Sequence, residues 1–278
     1  MLIEVELSVM AALPFDYHMH TTHSCDGKSS MVEMCRRAVA IGMPEIAITE
    51  HFDRHPMDFC YNTYHAEAFW ANLQACRAEF PDLIIRAGVE IGEPHRFMDE
   101  VAPILDAYPY DLVIGSLHWV KNGIVFDNRF FHNRTVDQAA ERYFTEMLRM
   151  VEHGGFDILG HLDVVRRQGF DFYGRFDIEP YEHLIRPILR ACIEKGIALE
   201  INTSGMRRAV QQTFPSLPVL RWYREMGGEL LTVGSDAHRT DDLGHCFTVA
   251  REVALRAGFT HLCRFERRQV VDWVAIQG

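Results

Sequence analysis

Short apolar runs rich in β-branched residues alternate along the chain with longer segments whose apolar residues recur every three or four positions. The short runs have the length of strands, and the longer segments have the period of amphipathic helices. The predicted strands are 15–19, 45–49, 83–89, 111–115, 156–159, 197–201 and 230–233. The predicted helices are 29–41, 65–80, 96–107, 135–152, 180–195, 217–226 and 242–257. This alternation predicts an α/β protein whose parallel strands are joined by right-handed crossovers.

The pattern continues without a linker, so we expect one domain over residues 1–278. Single-domain α/β barrels have this length. Apolar and polar residues alternate at 2–9, which predicts an extra strand within residues 1–14, ahead of the first regular strand. The segments 53–64 and 119–134 are predicted loops that follow strands and are candidates for substrate contact.

The composition is that of a globular protein with a large core, since 48% of residues are hydrophobic and 24% are charged. The formal net charge of -11 would repel a phosphate backbone, so we expect no nucleic-acid partner unless metal ions or a local basic patch reverse the field. A small anionic substrate drawn to metal cations remains compatible with this charge.

The seven cysteines are odd in number and scattered, and no two of them form a C-x-x-C pair. We therefore expect reduced thiols in a cytoplasmic protein. Glu4 and Glu6 interrupt the apolar residues near the start, which is not typical of a signal peptide. No apolar segment reaches membrane-spanning length, so we expect no membrane partner.

The candidate chemistry lies where the predicted strands end. In the segment 16–20, a strand would place Asp16, His18 and His20 on the same face. Acid or histidine groups recur at other strand ends, in Thr49-Glu50-His51, Gly88-Val89-Glu90, Ser116-Leu117-His118, Gly160-His161-Leu162-Asp163 and Ser235-Asp236-Ala237-His238. Parallel α/β sheets carry their chemistry at the carboxyl ends of the strands. The sequence therefore predicts a multinuclear metal site at that edge.

Each of these groups also has an ordinary structural interpretation. A lone histidine at a strand end is usually structural, and a strand-end acid more often caps the following helix. Independent structural roles are improbable for six histidines in successive strand-end motifs, namely His18, His20, His51, His118, His161 and His238. Glu90 follows a long apolar run, where an unpaired charge would be costly to bury. A cation beside Glu90 would remove that cost.

Seven motifs resemble, in order from Asp16 to His238, those of the polymerase and histidinol phosphatase (PHP) superfamily. The motifs are DYHMH, TEHFD, GVEIGE, IGSLHWV, GHLDVVRR, EINTSGMRR and GSDAH. Within the superfamily, EINTSGMRR, SLHWV and Phe214-Pro215-Ser216 most resemble the histidinol-phosphate phosphatase branch. The early motifs are shared with bacterial DNA polymerase exonuclease domains and other phosphoesterases.

The resemblance implies a distorted seven-stranded (β/α)7 barrel with three divalent ions, Zn, Fe or Mn, at the carboxyl ends of the strands. It implies a first metal on His18, His20, Glu90 and Asp236. It implies a second metal on His118 and His161, bridged by Glu90, and a third on Asp26, His51 and His238. Many relatives have histidine where this chain has Asp26, and His23 is a nearby substitute.

The resemblance further implies phosphate-ester hydrolysis by a water that bridges two ions and loses its proton, with the carboxylates Glu90 and Asp236 in the catalytic site. The family uses arginines at both arginine motifs, which indicates Arg166 and Arg207 as phosphate ligands. The neighbouring residues Arg167 and Arg208 leave each choice open by one position. Asp163 would either orient His161 or protonate the leaving group.

The implied activity is hydrolysis of L-histidinol phosphate to L-histidinol and phosphate, a step of histidine biosynthesis. A competing hypothesis keeps the chemistry and changes the substrate to a nucleotide or sugar phosphate, or to a diester. A metal-binding module without turnover and an amidohydrolase would also carry strand-end histidines, although no metal-bridging lysine is found in these motifs. The oligomeric state is left open.

Overall fold

A six-stranded parallel sheet forms the centre of the computed structural model, which describes residues 13–276. The described strands are β1 (Glu45–Phe52), β2 (Ile84–Gly92), β3 (Leu112–Ser116), β4 (Trp119–Val120), β5 (Gly123–Ile124), β6 (Ile158–Leu159), β7 (Ala198–Asn202), β8 (Leu231–Gly234), β9 (His261–Glu266) and β10 (Gln269–Ala275). The sheet order is β1-β2-β3-β6-β7-β8, and every neighbouring pair is parallel. The chain therefore has the predicted α/β class.

Helices follow most of these strands and cover the sheet. The described α-helices are α1 (Met31–Ala40), α2 (Ala66–Glu79), α3 (Pro94–Ala107), α4 (Asn128–Phe131), α5 (Val136–His153), α6 (Val165–Tyr173), α7 (Glu182–Lys195), α8 (Leu217–Glu225) and α9 (Phe247–Arg256). The strands β3, β7 and β8 are buried along their whole length, as their continuous apolar sequences require. None of the described helices combines the length and the apolar character needed to cross a membrane.

The predicted first strand, 15–19, is not a regular strand of the sheet. It runs between the two sheet edges, where the amide of Tyr17 donates to the carbonyl of Val233 and the amide of Ala47 donates to the carbonyl of Asp16. Only isolated bridges form within this described segment, from Asp16 to Ile46 and from Met19 to Ala237. The amide of Met19 donates to the Thr49 side-chain hydroxyl. The segment nevertheless links β1 to β8.

All seven predicted helices are present, with ends displaced by a few residues. The helix α1 begins at a capping box in which the Ser30 hydroxyl accepts from the Glu33 amide and the Glu33 carboxylate accepts from the Ser30 amide. The short helices α4 and α6 were not predicted, nor were the hairpins β4–β5 and β9–β10. The predicted loop 119–134 contains β4, β5 and α4. The predicted strand 2–9 lies outside the described residues.

Candidate metal centre

Nine side chains predicted as metal ligands converge at the carboxyl ends of the parallel strands. They come from the segment 16–26, from the ends of β1 and β2, and from the turns that follow β3, β6 and β8. The nine are His18, His20, Asp26, His51, Glu90, His118, His161, Asp236 and His238. Seven of them fall into groups of three whose ligand atoms lie within 4.8 Å of one another, namely His18, His20, His51, Glu90, His118, His161 and His238. Asp236 lies against His20, and Asp26 lies against His238. The strand-end argument from the sequence thus agrees with the structure.

The first group surrounds one oxygen of Glu90. The Oε2 atom lies 3.4 Å from His18 Nε2 and 3.5 Å from His20 Nε2. The Oδ1 atom of Asp236 lies 3.6 Å from the same His20 nitrogen. All four side chains are almost fully shielded from solvent, with only Asp236 reaching 15% exposure. Two imidazole nitrogens and two carboxylates therefore enclose one small space.

The second group surrounds the other oxygen of Glu90. Its Oε1 atom lies 3.0 Å from His161 Nε2 and 3.5 Å from His118 Nε2, and it accepts a hydrogen bond from the Ser116 hydroxyl at 2.6 Å. The Oε2 atom of Glu90 also lies 3.0 Å from His51 Nδ1. One buried carboxylate therefore contacts three histidines with one oxygen and two with the other. Carboxylates can bridge two divalent ions in this way.

The third group lies nearer the solvent. Asp26 Oδ2 lies 3.1 Å from His238 Nε2, and Asp26 Oδ1 lies 3.6 Å from His51 Nε2. The substitute ligand His23 instead lies with its Nε2 3.3 Å from the Asn72 side-chain oxygen on α2. The structure therefore places Asp26, and not His23, against the other two side chains of this group.

Several polar atoms in these groups are buried without any hydrogen-bond partner among the described residues. They are His18 Nε2, His20 Nε2, Asp26 Oδ1, His51 Nδ1 and His161 Nδ1. A buried polar atom without a partner costs free energy that a ligand bond would recover. Imidazole nitrogen with carboxylate oxygen is the donor set that Zn, Fe and Mn accept. The donor set therefore fits divalent ions.

The electrostatics of the site keep its carboxylates ionised. Burial alone would raise the pKa of Glu90, but the imidazoles of His18, His51 and His118 hold that pKa well below its usual range. Asp236 has the same balance of burial against neighbouring imidazoles, and its pKa is also well below its usual range. Both carboxylates are therefore negative at neutral pH, as cation binding requires.

The pKa values of the histidines are shifted in both directions. Burial, together with His51 and His238, lowers the pKa of His20 to about 3, so this ring is neutral at neutral pH. Burial opposes the charged form of His51 as well, but Glu90 and Asp53 beside it raise the pKa of His51 to about 9. A cation entering this site would displace the proton of such a ring, because a ligating imidazole is neutral.

A buried acid that the strand-end motifs did not identify holds His18 and the backbone of His161. Glu200 on β7 has Oε1 2.6 Å from His18 Nδ1, and its Oε2 accepts from the amide of His161 at 2.8 Å. A carboxylate on the Nδ1 side fixes the ring and leaves Nε2 free for an ion. Gly234 on β8 passes directly behind, and a Cβ there would collide with Glu200 and with the His18 Cβ.

A second such acid is Asp53, just after β1. Its Oδ2 lies 3.4 Å from His51 Nδ1, and its Oδ1 lies 3.7 Å from His118 Nδ1. The neighbouring Glu93 accepts the backbone amides of His118 and Trp119 at 2.7 and 2.8 Å. These acids fix His51 and the turn that carries His118. In the sequence, the only indication of these roles is that Asp53 and Glu93 lie close to the predicted ligands His51 and Glu90.

Asp16 does not belong to the ligand cluster, although the sequence pattern predicted that it would share a face with His18 and His20. Its carboxylate accepts the backbone amides of His18 and Ser235 with one oxygen and of Gly244 with the other. The irregular backbone of the segment 15–19 breaks the strict alternation on which that expectation rested. Asp16 instead holds the turn that contains Asp236.

The residues predicted for phosphate binding and proton transfer, Asp163, Arg166 and Arg207, contact other parts of the protein. Asp163 is fully buried and binds Arg166 Nη1 at 3.1 Å and the Ser216 amide at 3.2 Å. Burial is the main cause that raises the pKa of Asp163. Arg207 donates from Nη2 to the carbonyls of Ser235 and Asp236, both at 2.9 Å. Arg166 and Arg207 thus already have protein partners.

Arg167 is the arginine that lines the cavity above the clustered ligands. This cavity has a volume of about 230 Å³, and its wall includes Phe59, Phe126 and Val164. The Arg167 guanidinium lies over the Phe126 ring at 5.0 Å and forms no ion pair with any described residue. Burial, with help from Arg208, lowers its pKa to about 10, so it stays cationic at neutral pH.

The prediction that all cysteines are reduced is wrong for two of them. The structure joins Cys25 to Cys60 in a disulfide, with Cα atoms 5.3 Å apart. The two residues are 35 positions apart, and folding brings the loop after His20 and the loop 53–64 to the same rim of the cavity. Spacing along the sequence carries no signal for such a pair. The other five cysteines are free.

The chain is similar in sequence to known proteins of one family. The model of the PHP domain family matches residues 16–204. A histidinol-phosphatase of Lactococcus lactis subsp. lactis (strain IL1403) is 31% identical over 92% of this chain and 95% of its own length. A probable histidinol-phosphatase of Clostridium acetobutylicum is 28% identical over 86% of this chain and 92% of its own length.

Solved structures agree with these matches. The histidinol phosphate phosphatase of Lactococcus lactis, in complex with zinc, L-histidinol and phosphate, superposes with a TM-score of 0.84 at 27% identity. That match covers 93% of this chain and 99% of the other. A putative histidinol phosphatase from Listeria monocytogenes shares the fold, with a TM-score of 0.70 at 19% identity over 84% of this chain and 99% of the other.

Proposed function

The chain belongs to the PHP domain family, and from this we propose that it is a metal-dependent phosphomonoesterase that hydrolyses L-histidinol phosphate to L-histidinol and phosphate. The observation that carries the proposal is one buried carboxylate, Glu90, that contacts different histidines with its two oxygens beneath a cavity lined by the arginine Arg167. The likeness to the L. lactis enzyme supports the choice of substrate.

We assign three divalent ions, Zn, Fe or Mn, to the three ligand groups. His18, His20, Glu90 and Asp236 would hold the first ion, and Glu90 with His118 and His161 would hold the second. Asp26, His51 and His238 would hold the third, which is the more exposed. When bound, such ions activate water and offset the negative charge of the phosphate. Glu90 and Asp236 act by holding the ions, and Glu200 and Asp53 act by orienting the imidazoles.

Arg167 is the residue we assign to the phosphate group of the substrate. Its guanidinium faces the cavity without a competing carboxylate among the described residues, and its planar donors match phosphate oxygens. Arg207 keeps one buried donor, Nη1, without a partner in the described part of the chain, and this atom is the one available to a phosphate oxygen. Asp163 and Arg166 fix the start of α6 and so position Arg167.

The rest of the cavity wall would contact the part of the substrate beyond the phosphate. Phe59 and Phe126 offer ring faces to an imidazole, and Asp58 offers a carboxylate to an ammonium group. We also propose that the segment 15–19 takes the place of the seventh strand of the family's distorted barrel, since it is hydrogen-bonded to both edges of the sheet. We propose that a single domain carries this activity and that its substrate is a small phosphorylated molecule.

The substrate assignment is tested with the manganese-loaded protein and a set of phosphate esters. We expect kcat/KM for L-histidinol phosphate to exceed that for nucleotide and sugar phosphates by at least about 100-fold, because only this substrate fills the aromatic wall and pairs its ammonium. Chelation should abolish turnover, and added Mn, Fe or Zn should restore it. Equal rates on all esters would reject the substrate, and full activity without metal would reject the mechanism.

The role of Glu200 is tested by Glu200→Gln, which keeps the side-chain shape and removes its charge. We expect the affinity for metal to fall about 10- to 100-fold, because the Nδ1 side of His18 loses its carboxylate partner. A competition titration with a chromophoric chelator measures this affinity. Excess metal should return kcat toward the wild-type value, which a general folding defect would not allow.

The matched control for this variant is Glu229→Gln, a charge-neutralising change at an exposed glutamate remote from the ligands. Its metal affinity should equal that of the wild type. A Glu200→Gln protein with unchanged metal affinity would contradict the positioning role.

A further inference from the structure

A second cavity is lined by residues of the β4–β5 hairpin. Its volume is about 410 Å³, and it adjoins a neighbouring cavity of about 460 Å³. Three cationic residues line both cavities, namely Lys121 at the tip of the hairpin, Arg134 before α5 and Arg142 within α5. We call this three-residue cluster the basic groove.

The cations of the basic groove have no carboxylate partner among the described residues. Arg134 donates to the backbone carbonyls of Phe130 and His132. Arg142 donates from Nη2 to the carbonyl of Val120 at 3.2 Å, and its buried Nε has no partner in the described chain. The ammonium group of Lys121 forms no ion pair with any residue that the structure describes. The chain has a net charge of -11, yet none of these three cations is paired with an acid among the described residues.

Neighbouring arginines show the contrast. Arg129 pairs with Asp127 at 2.9 Å, and Arg149 pairs with Glu146 at 2.8 Å. Glu146 also lies 3.0 Å from His95 Nε2. The other acid of the neighbouring cavity, Glu141, is exposed and forms no ion pair within residues 13–276. The cations around the groove are thus neutralised, whereas those inside it are not.

Both guanidinium groups of the groove lie beside the ring of Phe130. Their central carbons lie 5.8 Å (Arg134) and 6.0 Å (Arg142) from the centre of the same Phe130 ring. Burial and the nearby charge of Arg134 both lower the pKa of Arg142. Like charges gathered in a partly buried site are unfavourable without a counter-ion, and an anion between them would relieve this cost.

We propose that the basic groove binds a small phosphate-bearing anion at a site separate from the metal centre. Guanidinium groups present paired donors that fit phosphate oxygens, and Lys121 adds a mobile point charge. Met57 and Trp119 on the wall offer apolar surface to whatever the phosphate is attached to. An occupant would touch the hairpin that directly follows His118, and Ile124 of this hairpin lines both this cavity and that of the metal centre.

The test is a calorimetric titration of the metal-loaded protein with inorganic phosphate at low ionic strength. We expect two phosphates per chain, one at the metal centre and one in the groove. The double variant Arg134→Gln/Arg142→Gln should weaken the second site by about tenfold or more and leave the first unchanged, because each lost charge-assisted bond costs a large share of the binding free energy. Turnover should persist in this variant.

The matched control is Arg149→Gln, since Arg149 lines the neighbouring cavity but is already paired with Glu146. It should keep two phosphates per chain. One phosphate per chain in the wild type would overturn the proposal, as would a second site that survives in the double variant. Neither result bears on the metal centre, whose phosphate is counted separately.

A second titration with phenylphosphonate distinguishes the possible sources of the phosphate group. Tighter binding of phenylphosphonate than of inorganic phosphate at the second site would indicate a phosphorylated metabolite with an apolar portion. The reverse order would indicate free phosphate. Absence of a second site with both probes would overturn the proposal.

Discussion

Glu90→Gln is expected to reduce kcat/KM by about 1,000-fold or more, because the loss of one bridging charge removes several kcal/mol of metal-dependent stabilisation of the transition state. Glu90 contacts His18 and His20 with one oxygen and His118 and His161 with the other. A glutamine fills the same space but presents an amide group to one of these pairs. Steady-state kinetics and metal analysis by plasma mass spectrometry measure both consequences.

The same variant should bind fewer than the full set of metal ions, since two ligand groups share this carboxylate. Its matched control is Glu146→Gln, another buried glutamate that binds His95 and Arg149 far from the cavity. The control should retain wild-type metal content and turnover. Full metal content together with wild-type kcat/KM in Glu90→Gln would refute the bridging role.

Arg167→Ala is expected to lower kcat/KM by about 100- to 1,000-fold while the metal content stays unchanged. Arg167 is a guanidinium in the wall of the metal cavity that pairs with no described acid, so its loss removes a cation that a phosphate group would otherwise meet. Because the phosphate is bound both before and during reaction, we expect KM to rise and kcat to fall. Arg167→Lys should recover part of the loss, since it restores the charge but not the planar donors.

The comparison variant is Arg208→Ala, which removes an exposed arginine that the sequence motif also allowed as a phosphate ligand. We expect its kinetics to resemble the wild type. Unchanged kinetics in Arg167→Ala, or a larger loss in Arg208→Ala, would remove the assignment of Arg167. Metal analysis of both variants separates phosphate binding from damage to the metal groups.

Hydrophobic periodicity and strand-end chemistry predict much of this molecule, because both depend on local order. The helices α1, α2, α3, α5, α7, α8 and α9 have clear periods of three to four. The grouping of the nine predicted ligands follows from a general property of parallel sheets, whose carboxyl ends share one edge. Neither inference needs to know which side chain touches which.

Contacts between residues that are far apart in the sequence could not be predicted in this way. Glu200 meets His18 across 182 positions of the chain, and nothing near Glu200 in the sequence indicates that contact. The choice between Arg166 and Arg167 depends on where α6 begins, since neighbouring residues on a helix point about 100° apart. Arg166 turns toward Asp163, and Arg167 turns toward the cavity.

The hydrogen bonds between the segment 15–19 and β8 decide when the metal centre can form in a newly made chain. The carbonyl of His18 accepts from the amide of Asp236, so the early histidines reach their final places only when β8 and its turn are present. A nascent chain that has emerged only as far as β7 lacks both Asp236 and His238. Contacts of such long sequence separation carry a loop-closure entropy cost and slow folding. Metal loading should therefore follow release from the ribosome rather than accompany synthesis.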